Sequence, residues 1–132
     1  MGAKKIINKF LEPLGITANK GDEFCAYYWE DRIEYPGRYG WHSDAFMEDF
    51  NARYPEITTH EYVISILHEV GHCFVNPIED DENCKVATEN PEDYFHKFDE
   101  RMATIWAAEY IKAHPERIAK FEKKIVKWLE KA

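Results

Sequence analysis

The chain predicts an α+β fold, mostly helical, with one small antiparallel hairpin near residues 24–35. Three observations lead there. Apolar residues recur at helical spacing in several segments, one short stretch is instead dominated by aromatic and β-branched residues, and Pro, Gly and capping residues cut the chain between them. With 132 residues and no linker rich in Pro, Gly or Ser, residues 1–132 are expected to form a single domain.

Residues 3–11 place Ile6, Ile7, Phe10 and Leu11 on one helical face, ended by Pro13 and Gly15. From Phe24 to Tyr35, strand-forming residues flank Glu30-Asp31-Arg32, which predicts strands near 24–29 and 32–35. The segment from Pro36 to Trp41 reads as an irregular stretch ordered by burial of its rings. Ser43 is the expected N-cap of a helix of about ten residues carrying Phe46, Met47 and Phe50, stopped by Pro55. Thr58 with Glu61 three residues on has the capping-box pattern, so a helix is expected over about 59–75, ended by Asn76-Pro77. Residues 78–91 read as an acidic connection. A long helix then runs from Asn90 or Pro91 to about His114, and Pro115 opens a last helix with Ile118, Phe121, Ile125, Trp128 and Leu129 on one face.

Composition narrows the function. Hydrophobic residues make up 45% and aromatics 15%, enough for a packed core. The net charge is −8, and the lysines gather at the N-terminal end and in the last helix rather than in one basic stripe, which argues against a nucleic-acid partner. The basic residues of the last helix read as a solvated face. No segment reaches the roughly 18 apolar residues of a membrane span, and the N-terminus opens an amphipathic helix rather than a signal sequence, so the cytosol is the expected compartment. Cys25, Cys73 and Cys84 lack CxxC spacing and read as reduced thiols, with Cys73 a packing residue rather than a ligand.

The chemistry is concentrated in His68-Glu69-Val70-Gly71-His72. Residues four apart share a helical face, so His68 and His72 can offer two imidazoles to one cation, with Glu69 one step round toward the same site. Zinc suits neutral imidazole nitrogens, and a catalytic zinc takes three protein ligands and a water. Glu69 is placed to take the proton of that water and pass it to a leaving amine. Gly71 is a poor helix former, and its small size admits a neighbouring element.

Candidates for the third ligand are Glu89, Asp93, His96, Glu100 and Glu109. At 100° per residue, Ala103, Thr104, Ala107 and Ile111 fall within about 60° of Glu100, whereas Glu109 lies near 180°. The Glu100 face is lined by small residues that favour close approach to the motif helix. The Glu109 face, with Phe98, Met102 and Ile105, reads as core. Glu100 is favoured, with Glu109 and His96 as alternatives. Tyr110, Tyr94, His60, His96 and Arg38 are available types for stabilising an oxyanion, and spacing selects none of them.

At this point the sequence resembles a family. His68-Glu69-Val70-Gly71-His72, followed by Glu100-Arg101-Met102-Ala103 and Trp106-Ala107-Ala108-Glu109-Tyr110-Ile111, looks like the gluzincin-type metallopeptidases of the ImmA/IrrE kind over roughly residues 58–112. The resemblance implies a zincin-like domain in which a small sheet lies above the motif helix, with Glu100 as third zinc ligand and a protein or peptide as substrate. Thr104 departs from the family pattern, the Leu-Leu-Met-Pro ending is absent, and no DNA-binding module is attached. The expected activity is zinc-dependent peptide-bond hydrolysis, with the hairpin offering an edge strand to an extended peptide. The alternatives are a non-catalytic metal-binding module and a zinc hydrolase of a non-peptide amide.

Overall fold

A computed structural model describes residues 2–38, 44–75 and 98–131. Its first helix, α1 (Ala3–Leu11), buries Ala3, Ile6, Ile7, Phe10 and Leu11, the apolar face read from the sequence. A 3-10 turn over Glu12–Leu14 follows and is closed by Gly15 at φ 73°, the left-handed region that favours glycine. The chain then enters β1 (Thr17–Lys20), a strand the sequence reading did not anticipate. It has the sequence Thr-Ala-Asn-Lys, with only Ala18 buried, so it carries no hydrophobic alternation.

The expected hairpin is present but shorter. β2 (Cys25–Tyr27) leads through a 3-10 turn at Tyr28–Glu30 into β3 (Arg32–Tyr35). Asp31, left-handed at φ 49°, closes that turn with its N–H on the Tyr28 carbonyl. The strand order is β1-β3-β2, with β3 parallel to β1 and antiparallel to β2. The sheet is therefore mixed rather than purely antiparallel. Ala18, Ile33 and Tyr35 enter the core. On the other face Arg32 spans Glu30 and Glu34 at 2.8 and 3.2 Å and lies 4.0 Å over the Tyr27 ring.

The two sheet edges differ. On β1 the side chain of Asn8 substitutes for a neighbouring strand: its Nδ2 donates to the Ala18 carbonyl at 2.9 Å and its Oδ1 accepts the Ala18 N–H at 2.8 Å. β2 forms the other edge and packs over α3 (Glu61–Val75), the central helix of the fold. The mean hydrophobic character of α3 follows its position: Tyr62–Gly71 is buried throughout. Before it lies α2 (Asp44–Arg53), anchored by Phe46 and Phe50.

α3 starts two residues later than expected, and the Thr58 capping box is not its start. His60 takes the cap role: its Nδ1 accepts the Tyr62 N–H at 3.0 Å and its carbonyl accepts the Ile64 N–H. The His60 N–H is in turn held by the Glu122 carboxylate, which ties α3 to the last helix. At the other end of the molecule, α4 (Phe98–Ala113) packs more closely on α3 than any other described pair of elements. Gly71 makes this possible: a Cβ there would stand 2.6 Å from the Ala103 carbonyl oxygen. α5 (Pro115–Glu130) closes the core with Ile118, Phe121, Ile125 and Trp128. It packs on α1 through stacked Phe10 and Phe121 rings, 3.9 Å apart. Among the described residues no helix is long and apolar enough to cross a membrane. The expected Ser43 cap, the ring-rich segment at Tyr39–Trp41, the acidic connection 78–91, Cys84 and the start of the long helix lie outside the described residues.

Candidate metal centre

The facing of α4 against α3 decides which carboxylate meets the two histidines. Ala103, Ala107 and Ala108 are fully buried and Ile111 nearly so, whereas Ile105 is 37% exposed and Glu109 lies on the surface. The face expected to be core, that of Met102, Ile105 and Glu109, is thus the outer one. The small residues of the Glu100 face win because only they fit against Gly71. Glu109 is consequently turned away from the histidines. Glu89, Asp93 and His96, the other candidates, lie outside the described residues.

Glu100 arrives at the motif. Its Oε2 is 2.8 Å from His68 Nε2 and 3.3 Å from His72 Nε2, and the two imidazole nitrogens are 3.2 Å apart. One ligand atom from each residue lies within 4.8 Å of the other two, so His68, His72 and Glu100 form a group that could hold a metal ion. The donor set fits one. Lone pairs on two imidazole nitrogens and a carboxylate oxygen converge, and atoms of that kind at these separations need a proton or a cation among them. Three protein donors leave room for a water or substrate oxygen.

The imidazole of His68 is held on its far side. Thr104 Oγ1 is 3.1 Å from His68 Nδ1 and 3.0 Å from the Glu100 carbonyl oxygen. A carbonyl can only accept, so one arrangement satisfies both contacts: the hydroxyl donates to the carbonyl and accepts from Nδ1–H. That puts the ring proton on Nδ1 and leaves the Nε2 lone pair facing Glu100 and His72. Phe46 and His72 each pack edge-on to the same ring, with centroids 4.8 Å away. Neither Thr104 nor Phe46 was singled out from the sequence as a support for His68. The available signal was that Thr104 shares the Glu100 face, one helical turn on.

Electrostatics favour the ligand forms. Burial of His68, which is wholly inaccessible, outweighs the neighbouring carboxylates and lowers its pKa, so the imidazole is neutral. For Glu100 burial acts upward, but the close ring nitrogens of His68 and His72 act downward and prevail, holding the carboxyl well below the usual range. Glu69 is 6% exposed. Its charge is felt at Cys25, whose thiol is pushed up first by burial, and at Cys73, pushed up to about 11 by burial and then by Asp31 and Glu69. Both cysteines are free thiols, and Cys73 packs with its Sγ 4.0 Å from the Arg32 carbonyl, as a core residue rather than a ligand.

Three of the residues considered for oxyanion stabilisation are engaged elsewhere. Arg38 donates to the Trp128 carbonyl at 2.7 Å and covers that indole. Tyr110 accepts from Arg117 at 2.8 Å, and His60 caps α3. Tyr94 and His96 lie outside the described residues. Comparison of the chain with protein-family models, curated proteins and solved structures gives no match, so the metal-centre reading stands on the geometry of these residues alone.

Proposed function

We propose that this chain is a zinc-dependent peptidase, a member of the gluzincin type that its motif resembles. The observation that carries the proposal is the meeting of His68, His72 and Glu100 within 4.8 Å, with the Glu69 carboxylate buried one residue along the same helix. Two imidazole nitrogens and one carboxylate suit zinc better than calcium or magnesium, which prefer shells made of oxygen. A zinc ion held by these three would polarise the scissile carbonyl and make an adjacent water more acidic.

The chain's own groups account for the remaining tasks. Thr104 fixes the His68 tautomer, so that Nε2 and not Nδ1 is offered to the ion. Glu69 accepts the proton of the attacking water and delivers it to the leaving amine, so that the nitrogen departs neutral. The β2 edge, which packs on the helix that carries Glu69, can pair with an extended peptide through backbone hydrogen bonds, whereas the β1 edge is occupied by Asn8. That edge favours a peptide over a small amide as the substrate.

Metal analysis of natively purified protein and cleavage of a mixed peptide library test the proposal together. We expect about one zinc per chain, and cleavage that is lost in chelator. Glu69→Gln should retain zinc but lose activity by about 100-fold or more, because the general base is gone while the three ligands are untouched. Cleavage that survives Glu69→Gln would sink the mechanism, and a Glu100→Ala variant that keeps its zinc would sink the ligand assignment.

A further inference from the structure

The sequence places its lysines in two separate regions, and the fold joins them. α1 lies along α5, and two adjoining cavities of about 150 and 210 Å³ open in the groove between these helices, sharing Ile6 and Lys124. Arg117, Lys120, Lys124, Lys127 and Lys131 recur along α5 at alternating steps of three and four, the spacing of one helical face. They extend over roughly 21 Å at 1.5 Å per residue. Lys9 stands on the α1 wall of the same groove. Ile6, Phe10, Phe121 and Trp128 contribute its apolar lining, and among the described residues no Asp or Glu lines either cavity. The basic face read as solvated surface, with Lys120, Lys127 and Lys131 exposed, also forms one wall of a two-sided groove.

Two features make this more than a scatter of surface charge. None of these lysines has an ion-pair partner among the described residues, although acidic residues outnumber basic ones 25 to 17 in the chain. Six cations held near one another with no carboxylate in ion-pair contact cost self-repulsion that an anionic partner would relieve. The groove is also built firmly: the Arg117 guanidinium lies 4.4 Å over the Phe10 ring and donates to the Phe10 carbonyl and to Tyr110 Oη, locking α5 to α1.

We infer that the α1–α5 groove binds an acidic protein segment carrying spaced apolar side chains. The floor selects among polyanions. Phe10, Phe121 and Trp128 line the cavities but are all less than 9% exposed, too little surface for a base to stack on a whole ring face. Nor does this face present what a membrane would take up, because among the described residues the exposed large hydrophobic ones are Trp29, Phe74 and Ile105, none of which lines either cavity. An acidic peptide matches both parts, its carboxylates meeting the two lysine walls and its apolar side chains entering the cavities. The surface is separate from the metal ligands, so the inference stands whether or not the metal centre hydrolyses peptides.

Fluorescence anisotropy with a labelled peptide of Glu-Glu-Leu repeats tests it on the full chain. We expect saturable binding that weakens on the order of tenfold in the charge reversal Lys120→Glu, Lys124→Glu, Lys127→Glu, with circular dichroism unchanged because these positions lie on the groove rim. Replacing Leu by Ser in the probe should weaken binding at constant charge. Absence of binding, or binding unaffected by the triple reversal or by the Leu replacement, would overturn the inference. So would tighter binding of a single-stranded oligonucleotide of equal charge, or of phosphatidylserine vesicles, lost in the same variant.

Discussion

Thr104 shows how much one hydroxyl controls at the scale of a residue. Its oxygen stands between His68 Nδ1 and the carbonyl of Glu100, so it links two of the three proposed ligands. Thr104→Val keeps the volume and β-branching but can neither accept the Nδ1 proton nor donate to the carbonyl. We expect zinc affinity to fall about 10–100-fold, measured by competition with a chromophoric chelator, while the metal-free fold is retained. An unchanged affinity would show that packing by Phe46 alone orients the ring. The histidines were legible in the sequence because their spacing of four has a direct geometric meaning. Thr104 was not, since a threonine on a helix face gains its role only when another helix brings a ring nitrogen to 3.1 Å.

Between elements, the decisive contact is the crossing of α3 and α4 at Gly71 and Ala103. Because a Cβ at residue 71 would meet backbone rather than a pliable side chain, relief requires the two helices to part. Alanine is favoured over glycine inside a helix by about 1 kcal/mol, but overpacking of this kind costs about 1–3 kcal/mol. Gly71→Ala should therefore destabilise by about 1–2 kcal/mol net and displace Glu100 from His68, so zinc affinity should fall with the melting temperature. A variant of higher stability and unchanged affinity would refute this account of the crossing. The same contact explains the reading of α4. Facing geometry correctly set Glu100 opposite Glu109, but side-chain size misidentified the buried face, since Met102 and Ile105 look more like core than three alanines do. Helix packing against glycine reverses that preference. β1 was hidden for a related reason, as its edge is held by Asn8 and by parallel pairing to β3 rather than by a hydrophobic pattern.

For the molecule as a whole, the sequence reported charge but not its arrangement: a net −8 spread along the chain gave no sign that α1 and α5 would assemble a basic groove, which depends on pairing across more than a hundred residues. The charges inside the core have a different consequence, for the response to acid. His68 has an ordinary value of 6.5, lowered by burial, so below that value the unfolded chain takes up a proton the folded chain resists, and stability falls with pH. Glu100 has an ordinary value of 4.5 that is also lowered, so its contribution is present above that value and is lost as pH falls through and below it. Both groups act in the same direction. Opposing them, neutralising surface carboxylates relieves the net negative charge, but exposed charges are screened over about 8 Å at physiological ionic strength, whereas groups sheltered like His68 and Glu100 are screened much less. The urea midpoint of chelator-treated protein should therefore drop steadily from pH 7 to pH 5 and further below 4.5. Zinc-loaded protein should start higher and fall more steeply over the histidine range, because acid must displace the ion before His68 and His72 can be protonated. A metal-free protein that gained stability between pH 7 and pH 5 would mean that surface repulsion, and not the buried His68 and Glu100, governs its behaviour in acid.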